Sequence, residues 1–410
     1  MTSDARLFRI VARVHPGSPT ASMKLRETLV ARVLELLHGE PRVTLSREPL
    51  PLSATDVDYL CATGLGPATH GLCKAGLVAT GASDRSRLQG ADLTCQLLYR
   101  RMAGAAEQIC ARLNAREIVP VLLKGISTSR QYYRTPHHRV LGDVDLLVDA
   151  TELATARSVL RELGYDDFDA ESLGDAGATH HHLPAVIHPD TRVIVELHAG
   201  LFPPATPAAG SALFQPRMFR RELDDTRLGD AAARRFSTEF QLAYTVAHWA
   251  GDRKWPVNVI SIQDALLMLS PGQDFDFDKL RGWMTESPWL AGVIVAMVHC
   301  LTGAELLELP RDTQRGLTTH ARRIGRTNLR ALGWLIAQYP LTPPSSRPAW
   351  PAEFQARIAW RALLGQRSRM LRVPVAVSRA LVNRRTVQRF NPLAALRRYR
   401  KRRTRNSSGA

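Results

Sequence analysis

Residues 118–148, IVPVLLKGISTSRQYYRTPHHRVLGDVDLLV, read together with RVIVELH at 192–198, decide the fold. A short β-branched run, Ile118–Leu123, ends at Lys124-Gly125. Thr128–Tyr133 suits a helix, which Pro136 would end. A second apolar run, Val144–Val148, sits among the acids Asp143, Asp145 and Asp149. Thr151 reads as the N-cap of a helix running to Leu163, with Gly164 as its stop. Ala185–His188 and Arg192–Leu197 are two further strand candidates. Strands alternating with helices argue for an α/β or α+β core over residues 116–202.

Outward from this core the texture is helical on both sides. Residues 1–115 are mainly helical: Met23–His38 repeats apolar residues at three- and four-residue spacing, glycines break 55–80 into short helices, and Asp92–Asn114 is a long helical pattern. Residues 203–340 form a second helical region, with helices predicted at Thr238–Ala250, Val259–Leu269, Asp278–Met284 and Trp289–Leu301. Residues 341–410 are a Pro-rich linker and a basic tail.

The net charge of +17 belongs to that tail. Residues 354–410 carry 16 Arg and Lys and no acid, which leaves 39 basic and 38 acidic residues in 1–353. A uniformly basic, nucleic-acid-coating protein is thereby excluded. The tail suits RNA phosphates, an anionic membrane surface, or simple solvation. The five cysteines are widely spaced and form no CxxC pair, so neither a disulfide framework nor a thiolate zinc site is indicated. The N-terminus has no signal-peptide apolar region, and the longest apolar run is shorter than a membrane span. The expectation is a soluble, cytoplasmic protein.

The chemistry rests on acids. In a strand, residues two apart face the same way, so Asp143 and Asp145 would place two carboxylates side by side. Such a pair repels unless a cation sits between them. Hard oxygen ligands suit Mg²⁺ (or Mn²⁺), and Glu196 on a neighbouring strand would complete a two-metal site for in-line phosphoryl or nucleotidyl transfer. Glu196 would serve as a third ligand or as a general base. Gly125 at a strand-to-helix turn lets backbone N–H groups approach a phosphate. Ser127 would donate to that phosphate, and Lys124 or Arg139 would neutralise the leaving pyrophosphate. Arg139 is equally suited to pairing with an acid.

With these residues in place, the chain resembles the DNA polymerase β-like nucleotidyltransferases, which set a Gly-containing turn before a DxD and add a third acid later. Within them it is similar to a bacterial family of uncharacterised nucleotidyltransferases. The matching motifs are Leu123-Lys124-Gly125, then Tyr133, Pro136 and Arg139, then Asp143 to Val148. Leu160 to Tyr165, His181-His182-Leu183-Pro184 and Glu196-Leu197-His198 follow. The resemblance covers about 55–305, weakly at Thr69 to Leu72, His248 and Asp264. Two positions depart: Ile126 follows Gly125 where a second small residue is usual, and Ala199 stands where the family has an aromatic. The resemblance implies an α+β fold, a small mixed-sheet core flanked by helical N- and C-terminal regions, and transfer of a nucleoside monophosphate from an NTP co-substrate to a hydroxyl acceptor. That acceptor is a small molecule, a protein or a tRNA.

Two other readings stand beside it. One is a non-catalytic nucleotide- or partner-binding module on the same fold. The other is a zinc-dependent hydrolase, suggested by His137, His138, His180, His181, His182, His188 and His198. No HExxH spacing supports the second. His182 and His198 either line the nucleotide site, orient Glu196, or serve structurally; Tyr133 suits packing, and His248 and Asp264 suit hydrogen bonding in the core.

Overall fold

Apolar side chains at alternate positions of two short strands set the sheet. Val144 and Leu146 on one, Val195 and Leu197 on the other, are 0–2 % exposed and join one core. Each such side chain contributes about 1.5–3 kcal/mol on burial. The opposite faces of the same strands carry Asp145, Glu196 and His198. The computed structural model describes residues 28–38, 48–168, 181–204, 206–251, 259–270 and 273–324.

Along the chain, α1 (Leu29–His38) and β1 (Leu50–Pro51) precede α2 (Ala54–Ala62), α3 (Gly66–Lys74) and β2 (Val78–Ala79). Ser53 and Asp56 close a capping box at the start of α2. Helix α4 (Ala82–Asn114) follows, 33 residues and about 50 Å long. It begins ten residues before the predicted Asp92, since the polar 82–91 segment contains no breaker strong enough to stop it. Then come β3 (Val121–Leu122), α5 (Lys124–Tyr132), β4 (Val144–Leu147), α6 (Leu153–Glu162), β5 (Asp166–Asp167), β6 (Val186–Ile187) and β7 (Ile194–His198). A hairpin, β8 (Leu223–Leu228) and β9 (Ala231–Phe236), leads into α7 (Thr238–Gly251), α8 (Val259–Met268), α9 (Phe277–Glu286), α10 (Pro288–Gly303) and α11 (Arg311–Ile324).

The main sheet is mixed, in the order β5-β6-β7-β4-β3-β9-β8. Strand β4 lies parallel to β7 and antiparallel to β3. Helices α4 and α6 cover one face, with Met102, Ile109, Leu113, Val159 and Leu160 packed on the strands. This is the α+β architecture expected of a nucleotidyltransferase core.

Three local readings change. Thr151 does not cap α6. The helix starts at Leu153, Asp149 accepts from Thr151 N–H and Oγ1–H, and Glu152 accepts from Asp149 N–H. The β8–β9 hairpin lies inside the 203–340 stretch read as helical. Ala231-Ala232-Ala233 favours helix intrinsically, and pairing overrides that preference. The two-residue turn Gly229-Asp230, with Gly229 at φ 54°, is the signal that identifies the hairpin. Helix α11 is also additional.

Among the described residues no helix is long and apolar enough to cross a membrane. The start of the predicted Met23–His38 helix, His180, and the linker and tail beyond 324 lie outside the described residues.

Candidate functional site

Strand register assembles the acids. Asp145 on β4 is the direct Cα partner of Glu196 on β7, and Leu147 is the partner of His198. Glu196 and His198, two apart on one strand, therefore share the face that Asp145 occupies on the next. The sequence reading placed Asp145 and Glu196 on adjacent strands, and the sheet brings them side by side.

The polar groups meet around Asp145, which is 1 % exposed. His198 Nε2–H donates to Asp145 Oδ1 at 2.8 Å and lies 3.5 Å from Glu196 Oε2. Lys124 Nζ–H donates to the same Asp145 oxygen at 2.6 Å and lies 3.9 Å from Glu196 Oε2. Burial opposes ionisation of Asp145, but the His198 hydrogen bond and the Lys124 charge override it and hold the carboxyl well below its usual range. The His198 contact likewise holds Glu196 low against its partial burial. Burial pulls His198 down, and its bonds to Asp145 and Glu196 raise it above the ordinary histidine value. The ligand atoms of Asp145, Glu196 and His198 lie within 4.8 Å of one another, a buried donor set compatible with a divalent cation.

Asp143 precedes β4 and is partly buried. It lies outside that three-residue donor cluster. Burial first, then the charge of Asp145, pushes its carboxyl up to about 7. It is therefore a group that an added cation would return to its ionised form.

Lys124 opens α5 from a strained position. Its φ is 47°, left-handed for a non-glycine residue, after an extended Leu123. That bend turns the chain out of β3 and sends the ammonium toward Asp145. Gly125 is closely approached: a Cβ there would lie 2.5 Å from Leu141 Cδ2 and 3.3 Å from Arg139 Nη1, so any larger residue would displace those side-chain ends. Ser127 is 3 % exposed, and its Oγ has no hydrogen-bond partner among the described residues.

Arg139 is engaged elsewhere. Its Nε–H donates to both carboxylate oxygens of Asp264 at 3.0 Å, and Nη1–H donates to Val140 O at 2.7 Å. Tyr133 O–H donates to Asp264 Oδ1 at 2.6 Å. This buried triad ties the 133–141 loop to α8, so of the two roles open to Arg139 the geometry displays the ion pair.

Three imidazoles line the site. The His181, His182 and His198 rings have centroids 4.6–5.3 Å apart, and the His182 backbone bridges that of His198. Tyr244 and His248 from α7 stack edge to face at 4.5 Å. His198 is the residue whose part at the centre was least legible: the two-residue step from Glu196 signals its face but not its bond to Asp145.

Residues 64–302 match a family described as uncharacterised nucleotidyltransferases. No curated protein and no solved structure matches the chain.

Proposed function

The chain belongs to the family of uncharacterised nucleotidyltransferases, and from that membership we propose that it transfers a nucleoside monophosphate from an NTP to a hydroxyl acceptor, releasing pyrophosphate in a Mg²⁺-dependent (or Mn²⁺-dependent) reaction. The observation that carries this reading is the direct register of Asp145 with Glu196 on adjacent parallel strands. Asp143, Asp145 and Glu196 would hold the divalent cation through their carboxylate oxygens. When bound, the cation supplies charge for the triphosphate and lowers the pKa of the attacking hydroxyl.

The chain's own groups do the rest. Glu196 is the partly exposed acid, 22 % at its side chain, and is placed to accept the acceptor's proton as the new O–P bond forms. His198 fixes the orientation of both Asp145 and Glu196. Lys124 would neutralise the pyrophosphate with its ammonium as the bond to the α-phosphorus breaks. Ser127 and the first N–H groups of α5 are the nearby donors for phosphate oxygens. The acceptor, whether a small molecule, a protein or a tRNA, approaches on the side of Glu196.

One observation favours a second reading. Lys124 neutralises Asp145 from within, as it would in a pocket that binds a nucleotide or a partner without turnover. Isothermal titration of NTP with Mg²⁺ and with EDTA, alongside a pyrophosphate-release assay with total tRNA and cell extract, separates the two. Metal-dependent binding with release supports the enzyme. Binding without release on any acceptor supports the module.

A further inference from the structure

A second group of metal-ligating side chains lies outside the site described above. Asp92 on α4 is 8 % exposed and faces two neighbouring segments. Asp92 Oδ2 is 2.7 Å from His70 Nδ1 on α3. Asp92 Oδ1 is 2.9 Å from His137 Nε2 and 3.9 Å from His138 Nε2, both on the 3₁₀ turn Pro136–His138. The ligand atoms of Asp92, His137 and His138 lie within 4.8 Å of one another.

A buried carboxylate needs compensating charge or several hydrogen bonds. The nearest fixed cation, Lys74 Nζ, is 3.8 Å away on a side chain 65 % exposed. Most of the surroundings of Asp92 are imidazole nitrogens. Hydrogen bonding alone accounts for His70 and His137, one to each oxygen. It does not account for His138, whose Nε2 also converges on Oδ1 from beyond hydrogen-bond range. The two rings are turned 83° to each other, centroids 5.0 Å apart, so that consecutive residues present the same nitrogen to one point.

We propose that Asp92, His137 and His138 form a structural transition-metal site, selective for Zn²⁺ over Mg²⁺, with His70 orienting the carboxylate. Two imidazoles and one carboxylate are a zinc donor set, and imidazole does not suit Mg²⁺. His70 holds the non-ligating oxygen in the manner of an outer-shell partner. Water completes the coordination on the half-exposed side. The ion fastens α4 to the turn before Arg139, which pairs with Asp264 on α8, and so clamps the 133–141 loop that leads into Asp143 and β4.

The site is independent of the nucleotidyl-transfer reading, and the test keeps them apart. Untagged full-length protein is stripped with chelator and titrated with ZnCl₂ while melting temperature and the visible spectrum of a Co²⁺-substituted sample are followed. With the Asp145, Glu196 and His198 donor set disabled, the Asp145→Asn/Glu196→Gln variant should gain one equivalent of Zn²⁺ and several degrees in melting temperature, with a Co²⁺ d–d band. Wild type should gain at least as much. Adding His138→Gln to that variant removes a group that makes no close bond to Asp92, so the metal-free melting temperature should stay where it was while the Zn²⁺ gain and the Co²⁺ band are lost. A metal response absent from the Asp145→Asn/Glu196→Gln variant, or unchanged when His138→Gln is added to it, would overturn the proposal.

Discussion

Lys124 Nζ sits 2.6 Å from Asp145 Oδ1, so the buried carboxylate at the centre of the candidate site carries its own cation. A divalent ion entering the site must share or displace that ammonium. Lys124→Met leaves Asp145 with the His198 hydrogen bond alone, and breaking a buried pair from one side costs about 3–5 kcal/mol. The expected result is a lowered melting temperature in EDTA that Mg²⁺ or Mn²⁺ largely restores, with a larger metal-induced rise than wild type. Differential scanning fluorimetry with and without metal checks it.

Asp143 answers to the opposite sign. Its folded-state carboxyl is raised to about 7, above the unfolded value. Its contribution to stability is therefore present in acid and is lost as pH rises through about 7. Asp143→Asn removes that loss. In EDTA at pH 8 the variant should be more stable than wild type by about 1–4 kcal/mol, measured by urea unfolding, while metal-dependent transfer falls at least about a hundredfold.

The Arg139–Asp264 pair is expected to act through the fold. Asp264→Asn removes the counter-charge of the partly buried Arg139 guanidinium and leaves one oxygen to accept from both Arg139 and Tyr133, and should cost about 3–5 kcal/mol. Nucleotide affinity of the protein that remains folded should stay within a few-fold of wild type. A calorimetric titration at a temperature below the shifted melting point separates a stability loss from a binding loss.

Two buried histidines predict an acid limb. Burial depresses His248 to about 3 and His299 to about 4. Below about 6.5 the unfolded chain takes up protons that the folded chain refuses, so stability falls with pH and levels off only near those values. Each contributes a slope of about 1.4 kcal/mol per pH unit. His248→Phe, which keeps a ring against Phe202 and Tyr244, should flatten the urea-unfolding profile between pH 6 and 4 by about that amount.

The legible part of this protein was local and periodic. β-Branched runs marked Val144 and Val195 as core, while the two-residue spacing that put Asp143 beside Asp145 on a strand ran one residue too far, since the strand begins at Val144. Register was not legible: nothing in the string says that Glu196 pairs with Asp145 rather than with Leu147, because that depends on tertiary packing of α4 and α6. Nor was the reason for Gly125, whose missing side chain makes room for Leu141, sixteen positions away. The Ala-rich strand Ala231–Phe236 misled because pairing with β3 and β8 outweighs intrinsic helix preference.

The central claim is that Asp145 and Glu196 form the metal-dependent centre of a nucleotidyl transfer. Its most direct measurement incubates wild type and Asp145→Asn with each α-labelled NTP, Mg²⁺ or Mn²⁺, total tRNA and cell extract, and follows label joined to an acceptor. The account predicts metal-dependent labelling by wild type that EDTA and Asp145→Asn both abolish. Labelling that persists undiminished in Asp145→Asn would contradict it.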